Sequence, residues 1–98
     1  MKIYISGPIT GTDDYYERFA DKEKEMRKIF PKSDIINPVR SCAEAGLRDG
    51  EHSWKEFMNH CVYVLRGCSH IVMIPGWENS RGACVEYYLA KELELSFI

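Results

Sequence analysis

The sequence predicts an α/β fold, a small parallel sheet of about four strands with helices on both faces. Short apolar runs rich in Ile, Val and Tyr alternate with longer stretches of helical periodicity, the order that yields parallel strands joined by crossover helices. The first three runs stop at turn-forming residues: Gly7-Pro8, Pro38 and Pro75-Gly76. The chain has 98 residues, 45% hydrophobic and 29% charged, an ordinary globular composition with room for one core. Residues 1–98 are therefore read as a single domain.

Lys2–Ser6 alternates and is β-branched, so it forms the first strand. Asp14 and Glu17, three positions apart, have the form of a capping box. Tyr16, Phe19, Ala20, Met26, Ile29 and Phe30 then follow at helical spacing until Pro31. Glu23 falls on that same apolar stripe. Residues 34–37 make a short second strand closed by Pro38, and residues 39–52, polar with two glycines, are expected as a long loop. Ser53 and Glu56 form a capping box for the next helix. Its Trp54, Phe57, Met58, Cys61, Val62 and Leu65 share one face, and Gly67 stops it. Residues 70–74 are apolar enough for a strand buried on both faces. A loop at residues 77–81 follows, Ser80 caps a helix running to about Leu93, and residues 96–98 form a last short strand. This order, with right-handed crossovers, gives a three-layer, doubly wound sheet of the Rossmann or flavodoxin-like kind. Ligands of such sheets sit outside the carboxyl ends of the strands. Here those ends are residues 6–11, 37–40 and 75–81, all rich in Gly, Pro or small polar residues.

The formal net charge is −2 and no basic block or stripe occurs, which argues against a nucleic acid polymer as partner. The first apolar run, about five residues, is too short for a signal-peptide core or a membrane span. Cys42, Cys61, Cys68 and Cys84 contain no CxxC pair, so a cytoplasmic chain with four free thiols is expected. His60-Cys61 and Cys68-Ser69-His70 match no standard zinc spacing, and neither a metal nor a cofactor is expected.

Glu86 is the most informative residue. It is the only charged position between Ala83 and Ala90, in a helix apolar on nearly every side. Such a helix is normally buried in a core or against a partner chain, and a carboxylate there must be paired, protonated or catalytic. A buried salt bridge or an outward-facing Glu fits the pattern as well. Ser80-Arg81-Gly82 opens the same helix, whose unpaired N–H groups and positive dipole suit a phosphate. Ser80 can donate its hydroxyl, and Gly82 lets a ligand approach the backbone; a plain helix cap explains Ser80 equally. The turn Gly7-Pro8-Ile9-Thr10-Gly11 contains glycines but is no GxGxxG, and taken alone it reads as a turn. Trp54, on the apolar helix face, is expected in the core, which leaves Trp77 as the candidate for stacking a base.

KIYISGPITG at the start, NP after the second strand, SW opening the second long helix, and IPGWENSRGACVEYYLAKEL together resemble the nucleoside 2-deoxyribosyltransferase-like superfamily. The closest likeness is to its small bacterial and phage branch, and it covers most of the chain. The resemblance implies a glutamate that attacks the anomeric carbon of the sugar, a role that falls on Glu86. It also implies that Gly7, Pro8, Ile9, Gly11, Asn37, Pro38, Trp77, Ser80, Arg81 and Gly82 line the substrate site. Transferases of this kind carry Asp where this chain has Ser80, and the related monophosphate N-glycosidases carry Ser touching the phosphate. A (deoxy)nucleoside 5′-monophosphate is thus the implied ligand, since an Asp would repel a phosphate dianion.

One departure stands out. The family usually has an Asp in the preceding helix that helps protonate the leaving base, and here Cys61 takes that place. A neutral thiol is a poor substitute. Ser69 likewise replaces a common acidic residue. The proton would then come from Glu78, Asp49, Glu51 or His52. Three readings stay open: an N-glycosyl hydrolase or (deoxy)ribosyltransferase, a catalytically inactive nucleotide-binding module, and a structural subunit whose apolar last helix packs against a partner. The resemblance implies a homodimer or larger homo-oligomer, and the apolar last helix with Tyr87-Tyr88 offers it surface.

Overall fold

The computed structural model describes residues 1–9 and 11–98; Thr10 lies outside them. The chain runs β1 (Lys2–Ser6), α1 (Tyr15–Ile29), β2 (Asp34–Ile36), α2 (Pro38–Glu44), α3 (Trp54–Arg66), β3 (His70–Met73), a 3-10 turn (Trp77–Asn79), α4 (Arg81–Glu92) and β4 (Ser96–Phe97). The four strands form one parallel sheet in the order β2-β1-β3-β4. The small α/β three-layer fold expected from the sequence is therefore the fold observed.

The strand order decides where the helices go. The chain steps from β1 to β2 in one direction, then from β2 past β1 to β3 and β4 in the other. Right-handed crossovers then place α1 on one face and α2, α3 and α4 on the opposite face. The two cores agree. Ile3, Ile5, Ile35, Val72 and Ile74 pack with Phe19 and Met26 of α1. Tyr4 and Ile71 pack with Cys42, Cys61, Leu65 and Ala90 of the other helices. The strand period of two thus sends Ile3 and Ile5 one way, and Tyr4 and Ser6 the other. Fully burying an aliphatic side chain contributes about 1.5–3 kcal/mol, which makes β1, with Ile3, Tyr4 and Ile5 all inaccessible, the anchor of both layers.

Local signals explain most element ends. Ser53 and Glu56 form the expected reciprocal capping box on α3, and Ser80 accepts from the Ala83 N–H at 3.3 Å to cap α4. Asp14 precedes α1 but makes no side-chain cap, so the Asp14–Glu17 box is absent. The long loop expected at residues 39–52 is corrected more substantially. Pro38–Glu44 is a helix, with Asn37 accepting from the Val39 N–H at 3.0 Å and Pro38 in the first turn. Pro38 ends a strand and starts a helix at once, because its missing N–H is needed by neither. Glu23, the polar residue on the stripe of α1, is buried and receives Arg27, Arg40 and Asn37, tying α1 to the start of α2. The last helix is less enclosed than its composition implied: Ala83, Glu86 and Ala90 are buried, while Val85 and Tyr88 are exposed. Among the described residues no helix is long and apolar enough to cross a membrane.

Gly7 sits where the ladder between β1 and β3 ends, with the Ile74 N–H bonded to the Ser6 carbonyl at 2.7 Å. A Cβ on Gly7 would stand 2.7 Å from the Ile74 Cβ, an atom fixed by its own backbone. Gly7→Ala is expected to destabilise the fold by about 1–3 kcal/mol in urea denaturation. A loss below about 0.5 kcal/mol would show that the strand ends shift freely.

Candidate functional site

β1 and β3 are adjacent, yet their following helices lie on opposite faces of the sheet. This is the switch point of a doubly wound sheet, where a crevice opens at the carboxyl ends of the strands. A cavity of about 820 Å³ occupies this end of the molecule, within the range of small-molecule sites. Glu86 of α4 and Gly7 after β1 line it, as do the start of α2, the loop before α3 and the start of α4.

Glu86 is 6% exposed and is held from β1 by two hydroxyls. Tyr4 donates its phenolic O–H to Oε2, and Ser6 donates its hydroxyl to Oε1 at 2.7 Å. Both donors come from the same face of one central strand, two residues apart. No basic side chain is paired with this carboxylate among the described salt bridges. Burial therefore raises the Glu86 carboxyl to about 7, against the opposing pull of the Tyr4 and Ser6 hydrogen bonds. Burial, and then the neighbouring Glu86, push the Tyr4 phenol well above its ordinary range, so Tyr4 remains a donor. A carboxylate at a cavity wall, half ionised near neutral pH and fixed by two hydroxyls, can act as a nucleophile or a proton acceptor.

The residues expected to bind substrate divide into three groups. Ser80 and Arg81 line the cavity at the start of α4, and Ile9 lines it beyond β1. Asn37, Pro38, Gly7 and Gly82 also border it, but their structural duties are visible. Asn37 uses its oxygen to cap α2 and its amide N–H to donate to Glu23 at 3.2 Å. Gly82 lets α4 approach α3, since a Cβ there would meet Met58 Sδ at 3.2 Å. Pro8, Gly11 and Trp77 do not line the cavity. Pro8 is buried, packing near Gly76, and Gly11 has a left-handed backbone in a solvent-facing turn. Trp77 stacks on Tyr87, with ring centroids 4.3 Å apart, because its 3-10 turn directs the indole along the outside of α4.

Trp54 corrects a further expectation. It opens α3 beyond the edge of the sheet, so the helix face that is core lower down opens here into the cavity. Trp54 is 41% exposed, and the Arg81 guanidinium lies over its ring, 3.5 Å from the centroid. Arg40, Tyr15 and Tyr16 also line the cavity, and none of them is singled out as a site residue by the sequence alone, although residues 37–40 read as a ligand-facing strand end. Arg40 donates to Glu23 at 2.7 Å, and its position just past a strand end was the signal available. Tyr4 and Ser6 were also missed as partners of Glu86, although the alternation of β1 already put them on one face.

Of the proposed proton donors, Asp49 and His52 line the cavity, whereas Glu51 and Glu78 do not. His52 Nδ1 lies 3.0 Å from the Arg48 N–H and 3.4 Å from the Arg48 carbonyl, which holds the ring against the backbone of its own loop. Cys61 also lines the cavity. Its thiol is held well above its ordinary range by the hydrogen bond to Cys42 and by burial. His60 and His70 are engaged with Ser41 and Ser69, and no three potential metal ligands gather among the described residues.

The whole chain, residues 1–98, matches the family described as a domain of unknown function (DUF4406), and the chain belongs to that family. No curated protein matches it in sequence.

The raised carboxyl ties stability to pH. Below about pH 4.5, Glu86 is protonated whether the chain is folded or not. Between about pH 4.5 and about 7 the unfolded chain releases this proton while the folded one retains it, so stability falls; above that window the loss is complete. Glu86→Gln stays neutral throughout. Urea denaturation at pH 5 and pH 8 should therefore show wild type losing on the order of 3 kcal/mol more than the variant across the window. Parallel profiles would contradict the burial of an ionisable carboxyl.

Proposed function

We propose that this chain acts on a (deoxy)nucleoside 5′-monophosphate, cleaving or exchanging its N-glycosidic bond with Glu86 as nucleophile. The observation that carries this reading is the Glu86 carboxylate itself, desolvated at the wall of a ligand-sized cavity and gripped by Tyr4 and Ser6. The two hydrogen bonds fix which oxygen lone pairs remain for attack, and burial strips the water that would otherwise blunt it. In the reaction a Glu86 oxygen forms a bond to C1′ as the bond from C1′ to the base breaks. The result is a glycosyl ester, which water hydrolyses or a second base displaces.

The remaining groups take complementary parts. Ser80, Arg81 and the amino end of α4 suit the phosphate, with Arg81 held in place by its stack on Trp54. The exposed part of the Trp54 ring offers a flat apolar surface to a base. To Asp49 and His52, which line the same cavity from the loop before α3, we assign the proton transfer to the departing base that Cys61 cannot make. We read the chain as cytoplasmic and as a homo-oligomer, with the exposed Tyr63, Val85 and Tyr88 of α3 and α4 available to a second copy.

Cys61 favours a second reading, a module that binds the nucleotide without cleaving it. Chromatography of a panel of ribo- and deoxyribonucleoside 5′-monophosphates separates the two. Free base should appear with wild type, and its release should fall by at least about a thousandfold in Glu86→Gln, which still binds the nucleotide. The rate should climb with pH as Glu86 ionises through about 7. Nucleotides that raise the melting temperature yet survive intact would establish the binding module instead.

A further inference from the structure

The mechanism leaves two nucleophilic side chains of the cavity unused. Cys42 of α2 and Cys61 of α3 face one another with their sulfurs 3.8 Å apart, both buried and both lining the cavity that holds Glu86. The other two thiols differ. Cys68 donates to the Val64 carbonyl at 3.5 Å, and Cys84 to the Glu78 carbonyl at 3.4 Å, each bonded within its own stretch of chain.

We propose that Cys42 and Cys61 are a modification site, joined to a disulfide by a peroxide that enters through the substrate cavity, and that this bond switches the site off. The geometry requires little. A disulfide places its sulfurs about 2.05 Å apart, so the pair must close by roughly 1.7 Å. The partner that moves is α2, a seven-residue helix followed by a loop containing Gly46 and Gly50 in left-handed conformations. The two thiols are also unequal. The hydrogen bond between them lowers the Cys42 thiol and raises the Cys61 thiol, which leaves Cys42 the more readily ionised of the two.

The chemistry balances without any further reagent. The Cys42 thiolate attacks one peroxide oxygen, forming an S–O bond as the O–O bond breaks and hydroxide leaves. Cys42 is oxidised to the sulfenic acid and the peroxide is reduced. Cys61 sulfur then attacks Cys42 sulfur, the S–S bond forms, the S–O bond breaks, and the oxygen leaves as water with the Cys61 proton. Two thiols and one hydrogen peroxide give one disulfide and two waters.

The bond reaches the site by two routes. It draws α2 toward α3 across the cavity, narrowing the space between Pro38 and Met58, both of which line it. It also ties down Cys61, which packs in the same core cluster as Tyr4, whose hydroxyl holds Glu86. The consequence for turnover rests on Glu86 being the nucleophile; the cross-link itself does not.

The test exposes the purified chain to hydrogen peroxide and counts alkylatable thiols by mass spectrometry. Free thiols should fall from four to two, a peptide pair joined through Cys42 and Cys61 should appear, and dithiothreitol should reverse both changes. Cys42→Ser and Cys61→Ser should each abolish that peptide pair. Four thiols persisting at peroxide levels that oxidise free cysteine would overturn the proposal, as would a linkage through Cys68 or Cys84. Base release by the cross-linked chain should fall at least about tenfold and return on reduction, and an unchanged rate would overturn the switch. Should the reduced chain release no base, the glycosidic reading fails while the mapped cross-link still decides the thiol pair.

Discussion

A carboxylate withdrawn from water is tolerated only where donors meet it, and the strand-end region of this chain is organised around meeting Glu86. The donors stand on β1, the strand shared by both cores. Its alternation commits Ile3 and Ile5 to α1, which leaves Tyr4 and Ser6 for the face carrying α3 and α4. A slip of one residue in β1 would present Ile5 to the carboxylate and expose both hydroxyls to the wrong layer. Height matters as much. Glu86 lies opposite Tyr4 and Ser6 because Ser80 fixes where α4 begins, and Gly82 lets that helix close on Met58. Register, cap and close approach thus converge on one pair of oxygens.

The same arrangement creates the space in front of the carboxylate. Because β1 and β3 send their helices to opposite faces, their carboxyl ends part, and the cavity forms where no helix can cover the sheet. Its walls are unevenly charged. Arg40 and Arg81 flank the opening, each held by a neighbour, Arg40 by Glu23 and Arg81 by the Trp54 ring. Glu23 itself is buried. Its burial is outweighed by hydrogen bonds from Arg40, Arg27 and Asn37, which keep its carboxyl below the usual range. The two buried glutamates therefore do opposite things: Glu23 is ionised and structural, whereas Glu86 is poised to change its charge near neutral pH.

Much of this was legible in the sequence, and the gaps have physical causes. The succession of strands and helices along the chain, and with it a parallel sheet, followed from alternating periodicities, and the lone charge in an apolar helix marked Glu86. The box at Ser53 was readable because both halves of the motif are local. Asn37-Pro38 was misread because proline punctuates a strand end and a helix start alike, and only the Asn37 cap distinguishes them. The tryptophans exchanged places because periodicity reports which face a residue occupies, and cannot report where along the helix that face leaves the core. Trp54 lies past the edge, and Trp77 is turned onto Tyr87. Tyr4 and Ser6 escaped notice because their partner is 82 and 80 positions away, a separation no local pattern spans.

A Glu86 nucleophile must become covalently bonded to the sugar during turnover. Acid quenching of the chain during turnover of a nucleoside 5′-monophosphate, followed by intact-mass and peptide analysis, reads that bond directly. The expected result is a mass increase equal to the pentose phosphate residue, located on the peptide that contains Glu86. Base released with no such adduct, or with the ester on another residue, would contradict it.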